Sequence, residues 1–153
     1  MSNGSWPNES WSWRFERTIF SEPAAGKRIL EEILRQLAMH HWSERDVFGV
    51  HLALEEALVN AIKHGNRCDA SKRVHVECRI SHRRFFVEVR DEGQGFNPDA
   101  VPDCTDEERL EMPGGRGVLL MRSFMSSVEF NGKGNCVVMT KDRSEREAES
   151  TAE

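Results

Sequence analysis

The alternation of apolar and polar residues predicts a strand near the start of the chain and two helices after it. Apolar side chains alternate from Trp11 to Ile19, which is the period of a strand with one buried face. Over residues 24–39 the apolar positions recur every three or four residues, and the same spacing returns over residues 43–65. Both segments are predicted to be amphipathic helices, and Ser43 is predicted to cap the second one.

A hairpin and a long irregular segment follow the second helix. Apolar and charged residues alternate over residues 74–80 and again over 85–89, with a turn at residues 81–84 between them. Residues 91–116 lose this periodicity and contain several glycines and prolines. More than about 20 irregular residues inside a compact domain usually form a functional lid.

The last predicted elements are a short helix over residues 118–125 and two strands, over 128–131 and 136–140. The resulting order is strand, two helices, two strands, lid, helix and two strands. This order predicts an α+β fold, a two-layer sandwich in which helices cover one face of a mixed, mostly antiparallel sheet.

The length and composition fit one domain with a single hydrophobic core. The chain has 153 residues, of which 38% are hydrophobic and 31% are charged. We predict that residues 13–141 form this domain. Residues 1–12 are predicted to be a flexible segment, and residues 142–153 a charged, flexible tail.

Charge and hydropathy narrow the classes of partner. The formal net charge of -5 argues against direct binding of nucleic acid, which normally needs a basic surface. No apolar run approaches the roughly 20 residues that a membrane span requires, and the first residues do not resemble a secretory signal. A cytoplasmic protein without a membrane partner is therefore predicted.

The cysteines are predicted to be free thiols. They are too widely spaced for a C-x-x-C metal or redox pair and too few for a disulfide scaffold. Two of them fall within apolar alternations, where cysteine acts as a small hydrophobic residue. The four positions are Cys68, Cys78, Cys104 and Cys136.

The second predicted helix carries a carboxylate and an amide on one face, in the segment EEALVNAIKHGN (residues 55–66). Glu56 and Asn60 are four residues apart, so their side chains project from the same stripe of the helix. Together they can accept a proton and bind a hard cation such as Mg²⁺, which prefers oxygen ligands and is often shared with substrate phosphates. The alternative is a solvated polar pair on an exposed face.

A second segment, DEGQGF (residues 91–96), places Asp91 at the end of a predicted strand, just before Gly93 and Gly95. A carboxylate there can accept a hydrogen bond from an exocyclic amine, and the glycines let the backbone approach a ligand closely. The alternative is an ordinary turn after a strand.

A third segment, GGRGVLLM (residues 114–121), leads from glycines into a predicted helix. Unpaired N–H groups and the positive end of the helix dipole can face phosphate oxygens there, and Arg116 adds a positive charge. The alternative is a flexible glycine hinge.

In this order and on these elements, the three segments resemble the N, G1 and G2 boxes of the ATPase superfamily that includes gyrase, a chaperone family and histidine kinases. Its nucleotide-binding fold is called the Bergerat fold. Among its branches the chain most resembles the anti-sigma factor serine/threonine-protein kinases. The resemblance covers residues 13–141.

The resemblance implies a site for ATP and Mg²⁺ with a role for each matching residue. Glu56 would be the general base, Asn60 the Mg²⁺ ligand, and Asp91 the residue that reads the adenine amino group. The other implied contacts are Gly93 and Gly95 at adenine, Gly115, Arg116 and Gly117 at the triphosphate, and Lys63, His64 and Asn135. Asn135 stands where many members of the family have threonine.

The function implied by the resemblance is a regulatory kinase. It would phosphorylate an anti-sigma factor antagonist, a STAS-type protein, on serine or threonine, and it would also sequester a sigma factor. Members of the family act as homodimers. The alternative is a non-catalytic module that binds ATP and a protein partner, whereas a detached histidine kinase domain is disfavoured because residues 1–22 are too few for its dimerisation helices.

Overall fold

The computed structural model describes residues 9–94 and 115–144, without the side chains of Gly115 and Arg116. The strands are β1 (Trp11–Phe20), β2 (Arg73–Ser81), β3 (Arg84–Arg90), β4 (Ser127–Phe130) and β5 (Cys136–Asp142). The α-helices are α1 (Pro23–Met39), α2 (Glu44–Val59) and α3 (Gly115–Phe124), and a π-helical segment, Asn60–Gly65, continues α2.

The five strands form one sheet in the order β1-β2-β3-β5-β4. Every neighbouring pair among these strands is antiparallel, so the described sheet is antiparallel throughout rather than mixed. The predicted hairpin is confirmed, since Cys78 of β2 lies opposite Val87 of β3. Ser81 closes its turn, because its hydroxyl oxygen accepts a 2.9 Å hydrogen bond from the Arg84 amide.

The helices pack on one face of this sheet, as the α+β sandwich prediction requires. Alternate residues of β2 point toward the helical layer and are fully buried, while the residues between them, such as His75 and Glu77, are only partly buried on the opposite face. The buried cluster shared by the two layers includes Ile33, Leu37, Val50, Leu54, Val74, Val76, Cys78, Ile80, Phe85 and Val87. Burial of this apolar surface is the main stabilising contribution to the fold.

Two helices differ from their predicted form. The second predicted helix does not keep α geometry to its end but becomes a π-helix at Asn60. Helix α3 begins at Gly115 rather than at Val118, so Gly115, Arg116 and Gly117 form its first turn. Glycine has a low helix propensity, so the sequence favoured a hinge here, and tertiary packing overrides that preference.

The described chain continues past β5 and is held against the start of α2. The Ser144 hydroxyl donates a 2.9 Å hydrogen bond to Asp46, and the Arg143 guanidinium donates to the His41 carbonyl. The predicted cap of α2 is confirmed, because the Asp46 amide donates to the Ser43 hydroxyl oxygen at 3.1 Å. The flexible ends predicted at 1–12 and 142–153 are described only for residues 9–12 and 142–144, and both stretches make contacts.

Cys78 and Cys136 are buried and Cys68 is exposed, all three as free thiols, which confirms that part of the cysteine prediction. Cys104 lies outside the described residues. Among the helices that the structure describes, none has the length and apolar character needed to cross a membrane.

Candidate nucleotide site

Helices α2 and α3 meet at Glu56. Glu56 is half-buried on α2, and Gly117 of the first turn of α3 lies against it. A Cβ atom on Gly117 would be 2.7 Å from Glu56 Oε2 and 3.5 Å from Asn60 Nδ2. The two polar side chains predicted to share a stripe therefore do lie together, and the glycine at position 117 lets α3 approach them without displacing the Glu56 carboxylate.

The π-helical segment turns Asn60, His64 and Gly65 toward one cleft. Asn60 Nδ2 is buried and has no hydrogen-bond partner within residues 9–94 and 115–144. A buried amide without a partner costs free energy, so its presence at the wall of a cleft suggests that a ligand completes its hydrogen bonds. π-helical turns are themselves frequent at functional sites.

Asp91 lies at the opposite wall of the cleft, directly after β3. It is 8% exposed, and its carboxylate oxygen Oδ1 accepts a 2.7 Å hydrogen bond from the Gly93 amide. A Cβ atom on Gly65 would be 2.4 Å from the Asp91 carboxyl carbon, and one on Gly93 would be 2.2 Å from the Gly65 carbonyl oxygen. The end of the π-helix, the aspartate and the glycine after it are thus in direct contact.

The pKa of Asp91 is raised above its ordinary value. Loss of solvation on burial is the largest cause, and it is opposed by the hydrogen bond from the Gly93 amide and by the charges of Lys133 and Lys72. The ionised carboxylate is therefore held at a cost to stability, which is typical of functional positions.

The turn between β4 and β5 fixes the backbone of Asp91. The Asp91 amide donates to the Asn135 carbonyl at 2.9 Å, and Asn135 Nδ2 donates back to the Asp91 carbonyl at 3.0 Å. The side-chain oxygen Oδ1 of Asn135 in turn accepts a 2.7 Å hydrogen bond from Nδ2 of Asn131. Gly134 has a φ of 84°, a conformation that favours glycine. The Asn135 amide therefore supports the strand end rather than pointing unpaired into the cleft.

The cleft between these elements has about 400 Å³ of empty volume, part of it open to solvent. It brings together four of the residues implied by the sequence: Asn60, His64, Asp91 and Asn135. Glu56 and Gly117 adjoin it through their contact with Asn60. The remaining lining residues are Ala57, Ala61, Gly65, Val89, Met121, Phe130, Gly134, Cys136 and Val137.

Gly93 adjoins the cleft through its hydrogen bond to Asp91, and four other residues proposed from the sequence are not part of this described cleft. Lys63 is exposed and lines a different groove, between α1 and α2. Gly95 lies outside the described residues, as does most of the predicted lid. Of Gly115 and Arg116 only the backbone is described, in the first turn of α3.

Sequence reasoning did not identify the apolar wall of the cleft or the second role of Gly65. Met121, Phe130 and Val137 line the cleft although the sequence marks them only as ordinary apolar positions of a helix and two strands. The sequence predicts only a helix end at Gly65, and the contact of Gly65 with Asp91 joins residues 26 positions apart, which no local pattern reveals.

The described structure is an antiparallel sheet covered by three helices. Polar residues at a helix end face a strand-end aspartate across a cleft. This arrangement is typical of a class of nucleotide-binding α+β domains. Residues 20–141 match the family described as Histidine kinase-like ATPase domain. The match spans most of the chain, and the chain belongs to this family. Membership in an ATPase family implies that the domain binds ATP.

Curated relatives cover the same region. An anti-sigma F factor of Clostridium perfringens is 35% identical over 98 residues, which are 60% of this chain and 69% of that protein. The serine-protein kinase RsbW of Listeria monocytogenes is 28% identical over 108 residues, 66% of this chain and 69% of its own. The serine/threonine-protein kinase BtrW of Bordetella bronchiseptica is 29% identical over 91 residues, 58% and 64% of the two chains.

A solved structure shares the fold. The crystal structure of the RsbU and RsbW domains of a Mycobacterium tuberculosis protein superposes with a TM-score of 0.58 at 16% sequence identity. The alignment covers 86% of this chain and 32% of that longer one, so this chain spans about a third of the crystallised protein. The likeness confirms the sandwich architecture.

Replacing Gly93 by alanine is expected to lower the free energy of unfolding by about 1–3 kcal/mol, as overpacking usually does. Its Cβ would overlap the Gly65 carbonyl, a backbone atom that cannot rotate away. Urea unfolding followed by circular dichroism measures the change. The matched control is Gly132→Ala, where no atom lies within 4 Å and the change should stay within about 0.5 kcal/mol. Equal effects of the two substitutions would contradict the close packing.

The raised pKa of Asp91 predicts how its substitution changes the pH dependence of stability. At a pH between the ordinary carboxyl pKa and the raised pKa of Asp91, folding is accompanied by uptake of a proton on Asp91. The contribution of Asp91 to the free energy of unfolding therefore falls as the pH rises through that interval. Asp91→Asn removes this fall and keeps an acceptor for the Gly93 amide. The stability of the variant relative to the parent should therefore increase from acid to neutral pH in urea titrations. A relative stability that decreases over that range would refute the assignment.

Proposed function

We propose that this domain is an anti-sigma regulatory kinase that transfers the γ-phosphoryl group of ATP to a serine or threonine of an antagonist protein. The observation that carries the proposal is the convergence of Asn60 and Asp91 on one cleft, with Glu56 and Gly117 beside it. Under this proposal the cleft holds adenine at the sheet edge and phosphates near the ends of α2 and α3.

Asp91 is proposed to accept a hydrogen bond from the amino group of adenine. Its carboxylate is buried, lies at the cleft wall, and has its backbone fixed by Asn135 on one side. Adenine presents a donor at this position, whereas guanine presents a carbonyl oxygen that a carboxylate would repel. The site therefore favours ATP over GTP.

Asn60 is proposed to bind the Mg²⁺ that accompanies ATP. The Asn60 amide suits this role, because it lies at the cleft wall with a buried atom that has no protein partner within the described ranges. Amide nitrogen and oxygen exchange by a simple flip, so the amide oxygen can face a cation. When bound, Mg²⁺ would neutralise charge on the transferring phosphoryl group.

Glu56 is proposed to accept the proton of the attacking hydroxyl. It is one helical turn from Asn60 and touches the first turn of α3, whose N–H groups can face phosphate oxygens. Positioning and charge neutralisation dominate phosphoryl transfer, so a carboxylate held between two helices suits this role. Arg116 and Gly115 are proposed to contact the triphosphate from the same turn, with Gly93 and Gly95 at adenine and His64 as a further contact.

The proposed partners follow from the names of the relatives. An anti-sigma F factor and serine-protein kinases are 28–35% identical to this chain, which supports a sigma factor as the sequestered partner and an antagonist of the STAS type as the phosphorylated one. A homodimer, as in the family, is part of the proposal. Lys63 lies outside the cleft and is better suited to contact a protein than the nucleotide.

Glu56→Gln should keep ATP binding and lose phosphoryl transfer by about two to four orders of magnitude, because the amide cannot accept the proton. Transfer is measured with radiolabelled ATP and candidate antagonist proteins, and ATP binding by displacement of a fluorescent nucleotide. The control is Glu55→Gln on the same helix, an exposed residue paired with His51 at 3.6 Å, which should retain both activities. Normal transfer by the Glu56 variant would refute its role, and ATP binding without transfer in the parent would favour the non-catalytic module.

Asp91→Asn should lose ATP binding, and therefore transfer, while the protein remains folded. The substitution replaces an anionic acceptor by an amide whose donor group would face the donor on adenine. Calorimetric titration with ATP and thermal unfolding of the same sample separate loss of the site from loss of the fold. Equal ATP affinity in the variant and the parent would refute the adenine assignment.

A further inference from the structure

Asn66 directly follows the π-helical segment and is completely buried, with 0% exposure. Its amide nitrogen Nδ2 donates hydrogen bonds to the Ser21 hydroxyl oxygen at 2.8 Å and to the Arg73 carbonyl at 2.9 Å. Its oxygen Oδ1 accepts a 2.8 Å hydrogen bond from the backbone amide of Glu92. A polar side chain buried this deeply is stabilising only when its partners are all present, as they are here.

The three partners of Asn66 belong to three different segments. Ser21 follows β1, Arg73 begins β2, and Glu92 stands between Asp91 and Gly93. Two further hydrogen bonds close the network, from the Ser21 hydroxyl to the Lys72 carbonyl at 2.8 Å and from the Arg73 amide to Glu92 Oε1 at 2.5 Å. One side chain therefore ties the end of the helical layer to the peptide that carries Asp91.

The backbone on both sides of the Asp91 carboxylate is thereby fixed from two directions. Asn135 holds the amide and carbonyl of Asp91 itself, and Asn66 holds the next amide, that of Glu92. The Gly93 amide then bonds the carboxylate directly. Without an acceptor at Asn66, the Glu92 amide would lose its hydrogen bond to the end of the helical layer.

We propose that Asn66 is a positioning residue for adenine recognition, which acts through the Glu92 amide to set the orientation of the Asp91 carboxylate. This inference rests on the proposed function, in which Asp91 reads the adenine amino group. Asn66 is not itself among the residues that line the cleft, so its effect on the ligand is indirect. A hydrogen-bonding group must be held within a fraction of an ångström to discriminate between ligands, and such precision depends on the residues behind it.

The test measures the preference of the protein for ATP over GTP in three variants, by displacement of a fluorescent nucleotide well below the unfolding temperature. Asn66→Leu is nearly isosteric and removes every hydrogen bond of the amide. Asn66→Asp keeps the acceptor for the Glu92 amide, and Ser21→Ala cuts only a bond on the Nδ2 side. The preference for ATP should fall on the order of tenfold in Asn66→Leu, the usual effect of one lost hydrogen bond, and by less than about threefold in the other two variants.

A purely structural role for Asn66 predicts a different result. All three variants would then unfold at lower temperature, yet each would keep the parental ratio of ATP to GTP affinity, which would overturn the proposal. Equal loss of preference in Asn66→Leu and Ser21→Ala would also overturn it, because the bond to Glu92 survives in the second. A parent protein that shows no preference for ATP would instead refute the proposed function itself.

Hydrogen exchange of the parent protein provides a measurement that needs no variant. The Glu92 amide should exchange slowly in the absence of nucleotide, as strand amides do, because Asn66 already holds it. Exchange as fast as that of exposed turn amides would overturn the proposal even if Asn66→Leu failed to fold.

Discussion

The contact among Gly65, Asp91 and Gly93 is the constraint on which the rest of the site depends. It brings the end of the helical layer against the end of a central strand, at distances that leave no room for a Cβ atom on either glycine. This contact sets the width of the cleft, because Asn60 and His64 belong to the π-helical segment that ends at Gly65. Gly65 is thus required by the Asp91 carboxylate, and Gly93 is required by the backbone of Gly65.

The same contact explains why the ionised Asp91 carboxylate lowers the stability of the fold, and neighbouring groups offset part of that loss. Packing against Gly65 removes water from the carboxylate, and this loss of solvation raises the pKa of Asp91. The Gly93 amide and two lysines offset only part of the cost. A neutral residue would fit the fold with less penalty, so the charge is retained at the expense of stability, as is usual where a carboxylate must bind a ligand.

Most of the fold follows from local sequence patterns, since its helices and strands have clear periods and its core is built from those periodic positions. The pairing of Glu56 with Asn60 was predictable for the same reason, because it depends only on helical spacing. The π-helical turn was not predictable, because the spacing of apolar residues over residues 43–65 does not distinguish π from α geometry. The contact of Gly65 with Asp91 was not predictable either, because it joins residues far apart in the sequence. Lys63 and His64 line different grooves, as expected for consecutive residues of a helix.

The two ends of the cleft are built by different means, and this difference has consequences for recognition under the proposed function. The proposed adenine end is fixed by hydrogen bonds between side chains and the backbone, with the amides of Asn66 and Asn135 holding the peptides around Asp91. The proposed phosphate end lies where two helices meet, with the Glu56 side chain on α2 against the backbone of Gly117 on α3. A base needs a rigid acceptor at one point, because discrimination between amine and carbonyl depends on a single hydrogen bond. Phosphates need several donors that can adjust during transfer, and the N–H groups in the first turn of α3 would supply them under the proposed function.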